Sequence, residues 1–227
     1  MVQTLVHVYP TELAVVRGTA DADAGVSTQI AASRHFHDQL LCRAYSDTSG
    51  NRYERKPPDS HDRAGENTMI TVDLLVPSSG PQRTVIIGGR GFDPGPGLGL
   101  ALATAPLRVD VTVRMLDGGQ CLEFAILVPD VEVAVALKAL AWQSRRADKD
   151  LMDLASLFEI VNEHRAGLSQ WALDRAPLIG VRLDAARALG LLLVMLDKGR
   201  VNRSLLLNQP PSRLATLIRK HVQITSV

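Results

Sequence analysis

The sequence predicts an α+β protein, with its strands first and its helices second. Two observations carry this: β-branched, alternating segments cluster between residues 69 and 128, and from Val131 onward the pattern is helical with no proline before Pro177. A third is composition, since 227 residues with 46% hydrophobic content suffice for one or two domains with a real core. No internal repeat or low-complexity tract competes with that reading.

The first segment, "MVQTLVHVYP", patterns as an amphipathic helix that Pro10 ends, and "ELAVV" after it reads as a short strand delivering residues 17 to 23 at its tip. "STQIAASRHFHDQLLCRAY" patterns as one helix. The polar stretch "SDTSGNRYERKPPDSHDRAGENT" reads as a loop or hairpin tip carrying Arg52, Arg55, Lys56, His61 and Arg63. "MITVDLLVP", residues 69 to 77, is a strand closed by proline, with Asp73 in its middle between apolar neighbours. "RTVIIGG", "LRVDVTVRML" and "GQCLEFAILVP" follow as strands, and the glycine- and proline-rich "GGRGFDPGPGLG" reads as turns. That run lacks the GxxxxGK[ST] spacing of a phosphate loop. Past residue 166, "LDAARALGLLLVMLDKGR" predicts a buried helix ending near Gly199, and "PPSRLATLIRKHV" another begun by proline.

Composition also excludes classes of function. Twenty-five Lys and Arg against 24 Asp and Glu leave a formal charge of +1, so no global electrostatic grip on nucleic acid or membrane is expected, and any basic site is local. Cys42 and Cys121 stand far apart and outside any CxxC pattern, against a disulfide framework or a structural zinc site. The N-terminus lacks a basic region followed by a long apolar run, and "ALGLLLVML" is too short to span a bilayer. A soluble, cytoplasmic protein is the expectation. His35, His37 and His61 have no second cluster of metal-ligating type at suitable spacing and read as ordinary surface or partly buried residues.

Two places carry chemistry. In "VVRGTADADAG", Asp21 and Asp23 stand one residue apart among small residues, so an extended backbone points both the same way. Paired carboxylates repel unless a cation sits between them. In "EVAVALKALAWQSRRADKDLMDLASLFEIVNEH", at about 100° per residue, Lys138, Trp142, Arg145, Lys149 and Asp153 fall within an arc of about 80°, opposite Leu137, Leu140, Leu151, Leu154 and Phe158. A solvated polar face is the ordinary explanation, with Asp150 and Asp153 paired to Arg146 or Lys149 along the helix surface. Trp142 fits that explanation poorly. Whether a bend between 143 and 148 divides this segment into two helices is open at the level of sequence.

Together these residues resemble the nucleotidyltransferase superfamily, specifically the minimal nucleotidyltransferases of the AbiEii-like abortive-infection and toxin–antitoxin group. "RGTADADAG" is similar to the family's Arg-x-Ser/Thr-x-Asp-x-Asp metal motif, "ITVDLLVP" to its third-carboxylate strand, and "LKALAWQSRRADKDLMDLASLF" to its Lys-x-x-Ala…Arg…Lys-Asp-x-x-Asp helix pair. The likeness covers residues 1 to 165 or thereabouts and keeps the family's motif order. It implies a nucleotidyltransferase-like mixed β-sheet with flanking helices over residues 1–130, and a helical region over 131–227 that completes the active-site cleft.

The resemblance also implies roles. Nucleotidyl transfer uses two divalent cations, Mg2+ with Mn2+ as the alternative, one activating the attacking hydroxyl and one neutralising the triphosphate. Asp21 and Asp23 would hold both ions. Asp73 would complete the site as a ligand, or accept the proton of the attacking hydroxyl. Lys138 and Arg145 would pair with triphosphate oxygens, Arg17 and Thr19 would assist at the nucleotide, and Asp153, with Asp150 as the second choice, matches the acidic position used in nucleotide handling and catalysis. The implied partners are a nucleoside triphosphate, an RNA acceptor such as the 3′ end of transfer RNA, and a cognate antitoxin; no membrane is implied. Arg52, Arg55, Lys56, Arg63, Arg145, Arg146 and Lys149 are candidates for RNA phosphate contacts.

One departure is specific. Family members place a Gly-Gly or Gly-Ser turn just before the helix that leads to the aspartates, whereas this sequence starts at Met1 inside that helix. The expectation is a start site assigned too far downstream, or a lost loop. The alternative function is therefore a catalytically impaired relative that works by binding a partner or nucleotide.

Overall fold

The computed structural model describes residues 1–15, 21–56, 69–78, 84–114, 119–201 and 210–224. The architecture is α+β, with a mixed sheet and with helices dominating the C-terminal half. The chain packs as two units, one of residues 17–102 and one of residues 1–16 and 103–227.

The chain opens with α1 (Val2–Val8), which ends at Tyr9, one residue before the proline predicted to stop it. Residues 11–15 form no strand; the first strand among the described residues is β1 (Asp21–Gly25), so the two aspartates lie within a strand rather than beyond its tip. The predicted single helix after it is two, α2 (Thr28–Ala32) and α3 (His35–Cys42). Arg34 divides them by adopting the left-handed conformation at φ 58°. Ser27 caps α2 through its side chain, which accepts from the Ile30 N–H at 3.3 Å.

Of the two readings of the polar stretch, loop or hairpin tip, the structure shows a hairpin, β2 (Ser46–Ser49) and β3 (Arg52–Arg55), turned at Gly50. Gly50 needs its missing side chain: φ is +53°, and a Cβ there would lie 2.8 Å from the Gly91 carbonyl oxygen. Gly50→Ala is therefore expected to destabilise the chain by about 1–3 kcal/mol, measured by urea denaturation, because both backbone strain and a backbone clash must be relieved. Tyr53 seeds β3 in the core, where it is fully buried. The rest of the polar stretch, residues 57–68, lies outside the described residues.

β4 (Ile70–Ser78) is the predicted strand and the centre of the sheet. It pairs parallel with β1, antiparallel with β3, and parallel with β6 (Arg90–Pro96), which also pairs antiparallel with β5 (Val85–Ile87). β6 runs through the glycine- and proline-rich segment read as turns. Pro94 and Pro96 are two residues apart and so remove amides from one edge of the strand alone, which a strand at the limit of a ladder tolerates. Along β4, Val72, Leu74 and Val76 alternate onto one face and pack with Val26 after β1, Ala31 of α2, Leu40 of α3 and Phe92 of β6. The opposite face takes Thr71, Asp73 and Leu75. Farther along it, Gly25 and Gly95 make room for Leu98 at the start of α4 (Leu98–Ala103), whose Cδ1 would sit 2.6 Å from a Cβ at Gly25.

In the other unit, β7 (Leu107–Arg114) and β8 (Cys121–Val128) form an antiparallel hairpin with Leu107, Val109, Val111 and Val113 paired to Val128, Ile126, Phe124 and Leu122. The helices follow as predicted, and the open question of a bend is resolved: α5 (Val131–Arg145) and α6 (Asp148–His164) are separate, broken where Arg146 turns left-handed at φ 52°. Asp130 caps α5, its carboxylate accepting from the Val133 N–H at 2.8 Å, and burial raises the pKa of that carboxyl. α7 (Gly180–Asp197) ends before Gly199 and α8 (Pro211–His221) begins with proline, both as predicted. Buried carboxylates tie these helices together. Glu132 accepts from Arg182 at 2.6 Å and from the backbone N–H groups of Ala172 and Leu173, and Glu159 takes a bidentate pair from Arg213 at 2.6 and 2.7 Å.

His221 closes α8 at 4% exposure, and its Nε2 finds no hydrogen-bond partner among the described residues. Burial, with Lys220 and Arg165 adding repulsion, holds the imidazole below its ordinary pKa of 6.5. The unfolded chain thus takes up this proton at higher pH than the folded one. Stability contributed by the neutral ring is lost as pH falls from about 6.5 toward the depressed folded value. Urea midpoints are expected to drop on acidification through that window, and His221→Leu to flatten the dependence.

Candidate functional site

The face of the sheet opposite the core is charged, and strand register explains why. Asp23 of β1 stands opposite Asp73 of β4, and Asp73 stands opposite Arg52 of β3, so the three form one lateral row across adjacent strands. Neighbouring strands are about 4.8 Å apart, which brings the two carboxylates within reach of one cation. Arg52 grips Asp73 bidentately, Nε to Oδ1 and one terminal nitrogen to Oδ2, both at 2.9 Å. The carboxylate is the buried partner, 16% exposed, and the guanidinium side chain the exposed one, at 49%. Asp73 was expected among apolar neighbours; the pleat sends those neighbours to the core and the carboxylate to this face.

In backbone register Asp21 lies opposite Thr71, which in turn pairs with Glu54, while Leu75 pairs with Asp93. The side chain of Asp21 and the whole of Arg17 and Thr19 lie outside the described residues. Sequence reasoning missed Arg52 as the partner of Asp73, and Glu54 and Asp93 as further acids on this face. The alternation in "RYER" around Tyr53, had it been taken as a strand, would have placed Arg52 and Glu54 on the face opposite the tyrosine.

Asp23 and Asp73 offer hard oxygen donors from rigid, adjacent strands. That suits Mg2+, which takes one or two carboxylates and completes its shell with water and phosphate rather than a closed protein cage. Among the described residues no group of three or more His, Cys, Asp or Glu converges as a ligand set. Asp23 and Asp73 are the carboxylates of this row that could ligate a cation.

The second charged cluster lies in the helical unit. Lys138 of α5 reaches Asp153 of α6 at 2.8 Å and Asp150 at 3.4 Å, and Arg145 grips Asp150 bidentately at 2.7 Å to each oxygen. Asp150 is fully buried and the Lys138 side chain is 17% exposed. The helix-surface pairing of these aspartates with Arg146 or Lys149 is thus replaced by buried pairing across the α5–α6 turn. Trp142 is a core residue; Arg146 stacks on its ring, 4.1 Å from the centroid, and reaches the Met195 sulfur at 3.2 Å. The break at Arg146 invalidates the single-helix wheel that placed Lys138 and Asp153 on one stripe.

Arg55 and His37, among the remaining candidates, are engaged within the fold. Arg55 donates to the Arg43 carbonyl at 3.2 Å and lies over the Tyr45 ring. His37 is within 3.0 Å of the Tyr53 hydroxyl, which Arg90 also contacts, and Arg90 reaches Asp47 at 3.2 Å. Burial raises the pKa of Tyr53 and Arg90 opposes the shift, so this buried group keeps its proton. His61 and Arg63 lie outside the described residues, and both cysteines are free and exposed. No helix among the described residues is long and apolar enough to cross a membrane. Comparison with protein-family models, curated proteins and solved structures gives no match.

Proposed function

We propose that this chain is a cytoplasmic, metal-dependent nucleotidyltransferase of toxin type, moving a nucleoside monophosphate from a nucleoside triphosphate to an RNA acceptor, the transfer RNA 3′ end, and so inhibiting growth. The observation that supports it most is the register that sets Asp23 beside Asp73 on a charged sheet face. On this reading Asp21, Asp23 and Asp73 hold Mg2+ or Mn2+, which when bound neutralises triphosphate charge and lowers the pKa of the attacking hydroxyl. Asp23 and Asp73 hold their oxygens at fixed strand spacing and so orient the phosphates against the acceptor. Lys138 and Arg145 bind nucleotide phosphates, and Asp153, with Asp150 as second choice, handles the nucleotide. Arg17 and Thr19 keep their assignment at the nucleotide. The implied partners are the triphosphate, the RNA and an antitoxin.

A second reading, an impaired relative that binds nucleotide or a partner without transfer, is favoured by one observation: Lys138 and Arg145 are already neutralised by Asp150 and Asp153. Incubation with each α-labelled triphosphate, Mg2+ and total transfer RNA separates the two. Label in RNA from the parent chain and none from Asp23→Ala,Asp73→Ala supports transfer; binding of triphosphate without label in RNA supports the second reading.

A further inference from the structure

Arg52, a candidate RNA contact by sequence, is engaged in the structure with a proposed metal ligand. It sits on a strand, in register with Asp73, and spends two donors on both oxygens of a carboxylate that the sheet holds in place. Resting on the metal-site reading above, we infer that Arg52 and a divalent cation are alternative partners of Asp73, and that Arg52, once displaced, transfers its fork to a phosphate oxygen of the metal-bound ligand.

Three features carry this. The guanidinium cancels the charge of Asp73, so an arriving cation meets the field of Asp23 with little help from Asp73 until the fork lets go. The mobile partner is the arginine: its side chain is half exposed whereas Asp73 is mostly buried, so exchange turns a long side chain and leaves the carboxylates in place. Finally, the strand pairing keeps the released fork one strand spacing from whatever Asp73 ligates, and a planar fork matches phosphate oxygens as well as it matches a carboxylate. Arg52 is thus a positioning and phosphate-binding residue that makes metal binding and phosphate binding cooperate.

The test uses the full chain, with Mn2+ followed by electron paramagnetic resonance and tripolyphosphate binding by calorimetry at saturating Mn2+. Arg52→Gln is expected to bind Mn2+ alone about three- to fivefold more tightly than the parent, the size of a half-exposed ion pair, and to bind Mn2+–tripolyphosphate about tenfold more weakly, the loss of one charge-assisted hydrogen bond. Arg52→Lys, which keeps the charge without the fork, is expected between the two. Equal or weaker Mn2+ binding by Arg52→Gln, or unchanged tripolyphosphate binding, overturns the exchange. Asp73→Asn distinguishes the two levels: if it abolishes Mn2+ binding while Arg52→Gln leaves it unchanged, the exchange alone fails; if neither Asp73→Asn nor Asp23→Asn alters Mn2+ binding, the metal site fails and the exchange with it. Thermal melts of each variant confirm that it is folded.

Discussion

Asp73→Asn is expected to lower nucleotidyl transfer about a thousandfold while leaving the chain folded. A divalent cation supplies several kcal/mol of charge stabilisation to phosphoryl transfer, and each 1.4 kcal/mol is a factor of ten in rate. The amide cannot replace the carboxylate charge. The fold has little to lose, because the Arg52–Asp73 pair is half exposed on one side and pairs of that kind contribute about 1 kcal/mol or less. Asp23→Asn is expected to cost a similar factor, and the double substitution little more than either alone, since both residues serve one cation. Steady-state transfer rates for the three variants, beside their urea midpoints, check this.

Asp150→Ala is expected to act on stability, by about 3 kcal/mol. The carboxylate is fully buried and receives Arg145 through two bonds and Lys138 through a third, so its removal deletes three charge-assisted bonds at the α5–α6 turn and leaves Lys138 to Asp153. The loss sits at the lower end for a broken buried pair because the Arg145 side chain is half exposed and can reach water. Asp150→Asn keeps acceptor atoms and is expected to lose less. Chemical denaturation measures both, and transfer activity normalised to folded protein separates the two roles of this residue. Activity that follows the folded fraction makes Asp150 structural; a further loss places it at the nucleotide.

Segments with one strong local signal were legible in the sequence. Pro10, Gly199 and Pro211 bound helices where their backbone restrictions predict, and the alternation of "ITVDLLVP" marks β4, whereas the helical pattern read as far as Pro177 stops at His164. What was hidden depends on partners distant in sequence. β6 forms among glycines and prolines because two neighbouring strands supply its ladder, and β3 forms in a polar stretch because Tyr53 has a core to enter. Arg34 and Arg146 break helices by adopting left-handed backbone that their side chains do not advertise. At the candidate site, the pairing of Asp21 with Asp23 and the oddity of Asp73 could be read directly. That Asp23 and Asp73 are lateral neighbours, and that Arg52 shares their row, follows only from strand register, which nonlocal pairing sets.

On the proposed function, Asp23 and Asp73 share a divalent cation that a phosphate ligand completes. Anomalous diffraction at the manganese edge, from crystals grown with Mn2+ and a non-hydrolysable nucleoside triphosphate, tests it most directly. An anomalous peak is expected between the two carboxylates, with phosphate density on the same ion. Manganese bound at other residues, or phosphate bound with no ion at Asp23 and Asp73, contradicts it.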